Sequence, residues 1–418
     1  MARSFLPTVP ARGPFAPDFW RSPLRGPWFT SVLGVVLLAG ITILFVTGLL
    51  SYAAYNPDLA RVNDKTPGKG LLGFYLFPWP TDPPWLYRLT QGVHVTLGLV
   101  LVPVLLAKLW SVVPRLFTLP PARSLTHALE RISLLLLVGG ALFEFTTGIL
   151  NVQLDYVFPG SFYPLHFYGA WVFIGAFVAH AVLKAPTAMR NLRTMRNPRD
   201  GGEELVAPRP DPPTVSRRGA LGLVGGGSLL LFATSAGRSF DGPLRETAVL
   251  TPHGGPEPGS GPGGFQINKT AAYAGIRTAE TTEEAWRLVV AGPAGTLRFS
   301  RAGLLELPLH SAALPIACVE GWSTSDQWWR GVRLRDLAAL AGHEEPVDVF
   351  VESLQRRGAF RRGALRANQV ADPRSLLALF VNGEELTPDH GYPARIIVPA
   401  APGVLNTKWV ARLTFGAL

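Results

Sequence analysis

Four long apolar stretches occupy the first half of the chain, at about 29–52, 86–110, 128–150 and 165–185. Each reaches the ~20 residues a helix needs to cross the hydrocarbon of a bilayer, and each carries few charges. Trp28, Tyr52, Trp85, Tyr87, Trp110, Tyr156 and Tyr163 stand near their ends, where amphipathic rings anchor at the membrane surface. A fifth stretch, 219–236, is shorter and glycine-rich and is just long enough to span. Beyond it the pattern changes. Residues 237–265 are rich in Gly and Pro and read as an extended tether. From 266 to 418, short β-type runs (Arg287–Val290, Val347–Val351, Arg395–Val398, Trp409–Thr414) alternate with turn signals such as Asn382-Gly383. Helical patches are expected at Arg335–Leu340 and Arg374–Phe380. The expected fold is multidomain. An all-α four-helix transmembrane bundle (29–186), a linker (187–218) and one further transmembrane helix (219–236) precede an α+β domain (266–418).

Composition narrows the classes. Charged residues are 16% and hydrophobic ones 48% of 418, with mean hydropathy +0.22, which is too apolar for a wholly soluble enzyme and too polar for a pure transporter. One cysteine excludes a disulfide framework. The net charge of +10 reads largely as membrane topology. Residues 1–28, 108–124 and 184–218 hold four, three and eight Lys and Arg, whereas 53–88 holds four against three acids and 151–162 none. Basic connections stay in the cytoplasm. The N-terminal segment 1–28 and the linker are therefore expected inside, and the fifth span sends 237–418 outside. No basic stripe is interleaved with aromatics, so no nucleic-acid partner is expected.

Four of the eight histidines, His94, His127, His166 and His180, lie in or at the edge of the spans. Ionisable groups in a membrane are costly, so they are functional candidates. By depth they form an outer pair, His94 with His166, and an inner pair, His127 with His180. His166 and His180 are 14 residues apart, which is about 21 Å of rise and about 40° short of four full turns, so both imidazoles share a helix face. Imidazole is a good axial ligand to haem iron, and bis-imidazole ligation suits electron transfer. Gly98 and Gly169 follow His94 and His166 closely, where a flat ring needs room. Interfacial or core packing is the alternative for each histidine. The arrangement over 29–186 resembles the di-haem cytochrome b membrane subunits found beside many periplasmic oxidoreductases. It is also similar to the haem subunit of the periplasmic methionine sulfoxide reductase system, which has a different helix count. Glu144, in the outer third of the third span, is a candidate to accept a proton from a quinol, or else pairs with an arginine such as Arg88 or with water.

Ser216-Arg217-Arg218-Gly219-Ala220-Leu221, followed by an apolar run and Ala233, Ser235 and Ala236, resembles a twin-arginine export signal. That route carries folded proteins with cofactors already inserted. Adjacent arginines also serve as ordinary cytoplasmic anchors.

Cys318 admits three readings: inert packing, a nucleophile with His310 as base, or a soft thiolate ligand for a metal. Its surroundings carry a resemblance. Cys318-Val319-Glu320-Gly321-Trp322-Ser323 and Trp328-Trp329-Arg330-Gly331-Val332-Arg333-Leu334 are similar to the molybdenum-binding core of the sulfite oxidase family. Asn382-Gly383-Glu384, the run His390 to Pro399, Gly403 and Lys408-Trp409 continue it in order, and Phe265 to Thr270 matches the segment that enters the cofactor site. The bacterial branch with the catalytic subunit of periplasmic methionine sulfoxide reductase is the most similar. The resemblance implies molybdopterin with molybdenum, whose dithiolene gives two sulfurs and Cys318 a third. It implies that Asn268, Ala271, Ala272, Ser353, His390, Arg395, Asn406, Thr407 and Lys408 hold the pterin and its phosphate. Arg395 as a surface strand residue and Asn268 as a turn residue are the bland alternatives. The chain departs from that branch at Ala400-Ala401-Pro402, in place of an aromatic and lysine-rich stretch, and at Phe360, where related chains carry a tyrosine. Arg330, Arg356, Arg357 and Arg361 are available to an anion but form no convincing set. The expected function is an extracytoplasmic molybdenum oxidoreductase coupled through b-type haem, two per chain, to a membrane quinone or another carrier. Its substrate would be a small-molecule or protein oxide. A sulfite-like anion oxidase, or a binding module that has lost molybdenum, are the alternatives.

Overall fold

The computed structural model of the chain describes residues 13–16, 19–63, 66–68, 77–117, 124–152, 162–193, 209–240, 242–253, 259 and 261–418. Five helices in it are long and apolar enough to cross a membrane. They are α1 (Pro27–Ala53), α2 (Leu86–Val112), α3 (Leu125–Asn151), α4 (Phe162–Arg193) and α5 (Arg217–Ala233). The expected spans begin and end within eight residues of these helices, because uninterrupted apolar runs leave the backbone no partner but itself. Tyr156 and residues 194–208 of the linker lie outside the described residues.

The chain divides into two compact units, one of 1–45, 97–147 and 166–232, the other of 46–96, 148–165 and 233–418. In the first, Phe29, Leu33, Leu37 and Ile41 recur every fourth residue along α1. They pack with Leu101, Val104 and Leu105 of α2, Ala141 of α3 and Phe173 of α4. Gly40 permits this approach: a Cβ there would lie 2.4 Å from Leu101 Cδ1. Buried polar groups are answered locally. Lys108 Nζ donates to Thr30 O at 2.6 Å, and Ser228 Oγ of α5 to Val100 O at 2.8 Å.

The second unit holds the α+β domain. One sheet orders β1 (Leu288–Gly292), β2 (Gly295–Phe299), β5 (Val349–Ser353), β6 (Arg362–Leu365) and β10 (Val410–Phe415) as β2-β1-β10-β5-β6, with only β1 and β10 parallel. The other orders β3 (His310–Leu314), β4 (Gln327–Arg333), β7 (Leu376–Val381) and β8 (Glu384–Glu385), with β9 (Arg395–Ile397) pairing β7. Leu288, Leu304, Leu337, Leu377, Ile396 and Leu413 join one core between them. Leu334–Leu340 is helical as expected. Arg374–Phe380 is not: Leu376–Val381 is a central strand between β4 and β9. Leu and Ala favour helices weakly, but a run buried on both faces is equally a central strand, and tertiary pairing decides it.

The tether expectation also needs correction. Ala236–Ser239 and Pro243–Glu246 form helical turns, and Arg238 and Arg245 inside this segment are buried. Buried guanidinium groups need backbone acceptors. Arg245 Nη2 finds Ser323 O at 2.5 Å and Arg245 Nη1 finds His253 O at 3.3 Å, so this stretch is packed rather than extended.

The loop that joins α1 to α2 belongs to the same unit, and its described residues bind the α+β domain. Asn56 Nδ2 donates to Gln369 Oε1 at 2.8 Å, Ala364 N to Asn63 Oδ1 at 2.5 Å, and Trp79 Nε1 to Ala400 O at 2.7 Å. Arg374 meets Asp82 at 2.9 Å, and Arg366 pairs with Asp58. Tyr52 and Tyr87, expected as interfacial anchors, turn inward instead: both are buried, and Tyr52 Oη donates to Pro67 O at 2.6 Å.

Candidate functional site

Cys318 sits on a tight turn. Its N–H donates to Trp322 O at 2.8 Å, and Gly321 N–H donates to Cys318 O at 3.0 Å. Gly321 has φ +87°, and a Cβ on it would lie 2.8 Å from Arg238 Nη2 and 2.9 Å from Val95 Cβ, so only glycine fits. Bridges from Ala317 to Ser323 and to Pro402 close the base of the turn. The first turns of α2 brace it. Gln91 donates to Val319 O, Arg88 donates to Ser239 O, and Ser239 Oγ donates to Gly321 O at 2.8 Å. Arg238, wholly buried, donates from Nη2 to Thr96 Oγ1 at 3.2 Å, while its Nε and Nη1 have no hydrogen-bond partner among the described residues.

The turn carries a charge-sensitive cluster. Burial pushes the Cys318 thiol well up, and the Glu320 charge adds to this. A cation bound to the sulfur would reverse that shift. Burial pushes Glu320 up to about 7, although Trp322 Nε1 donates to its Oε2 at 2.8 Å. His253 Nε2 lies 4.0 Å from the same oxygen and is pushed down to about 4 by burial, then by Arg245 and Lys408.

Beside the turn lies a partly open cavity, lined among others by Ile316, Trp322 and Gly403. Six of the expected cofactor residues line it: Asn268, His390, Arg395, Asn406, Thr407 and Lys408. The remaining expected residues stand behind the wall. Ala271 N donates to Asp389 Oδ1 at 2.8 Å, Ser353 Oγ to Lys408 O at 2.7 Å, and Ala272 is exposed. Arg395 is locked by His390 O at 3.0 Å and Asn406 O at 3.3 Å, which leaves its Nε buried and unpartnered. Asn406 Oδ1 accepts from Val398 N at 2.9 Å, which leaves Nδ2 unpartnered. Thr387 Oγ1 is 2.8 Å from His390 Nδ1, while His390 Nε2 and both polar atoms of Gln266 are buried without partners. Unmet buried donors are rare in folded proteins, and here they converge. Burial pushes Arg395 down to about 9, and burial with the charges of Arg395 and Lys269 pushes Lys408 down. Such a cradle suits a polar, anionic group such as a pterin phosphate, so the residues fit the expected cofactor.

His310, the possible base for Cys318, instead has Nε2 3.7 Å from Asp336, on β3. None of Arg330, Arg356, Arg357 and Arg361 is among the described lining residues. Arg356 pairs with Glu280, and Arg330 lies 5.7 Å over Phe380. Phe360 does line the cavity, with φ +58°. Reading the sequence placed Gln266 and Lys269 only within the matching segment Phe265–Thr270, without a role, and missed Asp389 at the cavity and Arg238 at the turn. Arg238 lay in a Gly/Pro-rich segment read as an extended tether, where nothing in the spacing marked it or Arg245 for burial.

Each unit places histidines in its own helices. In one, Thr47 Oγ1 is 3.1 Å from His94 Nδ1. In the other, His166 Nδ1 meets Thr147 Oγ1 at 3.0 Å and Glu144 Oε2 at 3.1 Å, and His180 is half-buried. Glu144 therefore pairs with His166. The side chain of His127 lies outside the described residues.

Residues 275–417 match the family described as "Oxidoreductase molybdopterin binding domain". The chain is 31% identical over 158 residues to mitochondrial sulfite oxidase of Rattus norvegicus, covering 31% of this chain and 29% of that one. It is 33% identical over 108 residues to "Uncharacterized oxidoreductase YuiH" of Bacillus subtilis (strain 168), 26% of this chain and 53% of the relative. It is 38% identical over 103 residues to nitrate reductase [NADH] of Volvox carteri, 22% and 12% of the two chains. The chain thus spans at most about half the length of these relatives.

Proposed function

We propose, from the molybdopterin-binding oxidoreductase domain related to sulfite oxidase and nitrate reductase that this chain carries, that the whole protein is a membrane-bound oxygen-atom transferase. It acts outside the cytoplasmic membrane and exchanges electrons with a quinone pool, or another carrier, through two b-type haems. The observation that carries the reading is the set of unpartnered buried atoms at Arg395, Asn406 and His390 beside the Cys318 turn. Arg395, Lys408, Asn406, Thr407, His390 and Asn268 would hold the pterin and its phosphate, and Cys318 Sγ the molybdenum. Bound there, the metal supplies two-electron oxygen-atom transfer.

The chain's own groups supply the rest. Reducing an S-oxide to its sulfide and water consumes two electrons and two protons. Glu320, pushed up to about 7, holds a proton on its carboxyl near neutral pH, and Trp322 Nε1 fixes the carboxyl's orientation. The turn's close packing excludes bulk water, which would compete for that proton. In the spans, the threonine at Nδ1 of His94 and of His166 would fix each imidazole's tautomer, and these histidines would hold haem, which would supply one-electron transfer. The haem reading pairs His94 with His166 and His127 with His180 by depth, and Glu144 accepts a proton from quinol beside His166.

A second reading, oxidation of a sulfite-like anion with electrons passed into the membrane, is favoured by Arg238. This buried guanidinium beside Gly321 has two unpartnered nitrogens, which suits an oxyanion. Metal analysis and a pyridine haemochrome count on purified protein test the core of the proposal. Molybdenum near one and haem near two per chain support it, and absence of molybdenum overturns it in favour of a binding module. A tag at Leu418 that reacts only after spheroplasts are lysed would overturn the outside assignment and the twin-arginine reading with it.

A further inference from the structure

Tyr55 and Tyr87, with Trp79 between them in the chain, form a wall beside the Cys318 turn. They are 4%, 1% and 1% exposed and pack with Ala317 and Val319, the two neighbours of Cys318. The same cluster includes Phe360 and Val404, which also line the cavity. The Tyr55 ring lies 6.1 Å from Phe360, 6.4 Å from Tyr87 and 5.3 Å from Tyr163, on which it stacks. Cys318 itself is 4% exposed.

The wall is fastened rather than draped. Trp79 Nε1 donates to Ala400 O at 2.7 Å, Asn368 Nδ2 donates to Trp79 O at 2.9 Å, and Ala400 N–H donates to Pro84 O at 3.1 Å. The small side chains of Ala400-Ala401-Pro402 let Trp79 reach the backbone there. Fastened at the helix ends and at Ala400, the wall cannot swing aside without breaking several buried bonds at once.

We propose that this wall confines the site to small, freely diffusing substrates, an oxide or oxyanion of a few heavy atoms, and excludes oxidised side chains on folded proteins. The inference rests on the oxygen-transfer reading above and holds for either direction of electron flow. A methionine sulfoxide on a folded surface must bring its backbone with it, within about 6 Å of the reacting atom. A thiol buried behind Tyr55, Tyr87 and Phe360 leaves no room for that backbone. A free sulfoxide or sulfite needs only a channel of side-chain width.

The test uses the full chain in detergent with its molybdenum quantified and reduced viologen as electron donor. Wild type should reduce dimethyl sulfoxide or free methionine sulfoxide with kcat/KM at least about a hundredfold above that for a folded protein bearing surface methionine sulfoxide. Tyr55→Ala should narrow that ratio by about tenfold. The readout independent of turnover is Cys318, the chain's one cysteine. In protein from cells that cannot make the cofactor, a polymer-linked maleimide should leave wild-type Cys318 unmodified while iodoacetamide labels it slowly. Tyr55→Ala should speed iodoacetamide labelling by about tenfold or more, and Tyr55→Phe should not. Equal wild-type turnover of free and protein-bound sulfoxide, or polymer labelling of folded wild type at the unfolded rate, overturns the proposal even if Tyr55→Ala fails to fold. Graded labelling with no turnover of any oxide or sulfite by molybdenum-loaded protein supports the wall and overturns the oxygen-transfer reading instead.

Discussion

Along α4, Val172, Val182 and Leu183 stand 58%, 67% and 69% exposed, whereas in the α+β domain Leu288, Leu304, Leu377 and Leu413 are wholly buried. The two regions put their apolar surface on opposite sides, as hydrocarbon and water require. Their buried polar groups differ in a second way. In the helices some of these groups find a hydroxyl or carbonyl nearby, as Lys108 finds Thr30 and His94 finds Thr47, while Trp28 Nε1 and Ser51 Oγ find no partner among the described residues. In the α+β domain, unpartnered atoms collect at the cavity, on Gln266, His390, Arg395 and Asn406. Satisfying every buried donor is the rule for a structural interior, so a cluster of exceptions marks where something other than protein belongs.

The contrast breaks most completely at the two sets of residues proposed to hold metal. Cys318→Ser should lower turnover to less than about 1% of wild type, because a hard serine oxygen replaces a soft thiolate, while haem spectra stay intact. Conversely, His94→Ala or His166→Ala should each remove about one haem per chain with molybdenum content unchanged, read by pyridine haemochrome and metal analysis. A His94→Ala protein that kept both haems would return that histidine to ordinary packing.

A smaller effect separates the regions mechanically. Trp79→Ala removes a wholly buried indole and its bond to Ala400 O, and should cost about 3–5 kcal/mol. The loss should appear as a lower melting midpoint and faster proteolysis between the outer loop and the α+β domain, with haem absorbance at room temperature unchanged. Unchanged proteolysis would mean that Asn56, Asn63 and Arg374 suffice to hold the loop.

Much of this was legible in the sequence, unevenly. The spans were, because an apolar run in a bilayer has one stable backbone solution. The cavity residues Arg395, Asn406 and Lys408 were, because their types recur in order around Cys318. The strand at Leu376–Val381 was not, since a run buried on both faces has no period to read. Nor was the docked loop. Nothing in the spacing of Asn56, Trp79 and Asp82 shows that their partners lie some three hundred residues away, at Gln369, Ala400 and Arg374. Tyr52 and Tyr87 were misread for a related reason: tyrosine at a helix end fits a membrane interface and a protein interface equally well.

The smallest effect expected is on pH dependence, and it belongs to the α+β domain. Burial, then Arg395 and Lys408, push His390 down to about 4 from an ordinary 6.5. Between those values the unfolded chain binds a proton that the folded chain refuses, so stability falls as pH drops from about 6.5 to about 4 and is constant above. His253, also pushed down to about 4, adds in the same direction. The upper bound for one such group is about 3.5 kcal/mol, at about 1.4 per unit of depression. Melting midpoints of cofactor-free full chain, scanned across this range, should therefore slope downward toward acid, and His390→Gln should flatten the slope while sparing the contribution of His253. A bound anion beside Arg395 and Lys408 would offset the repulsion that His390 feels, so cofactor-loaded protein should slope less than cofactor-free protein. An identical slope in both forms would remove His390 from the anion cradle.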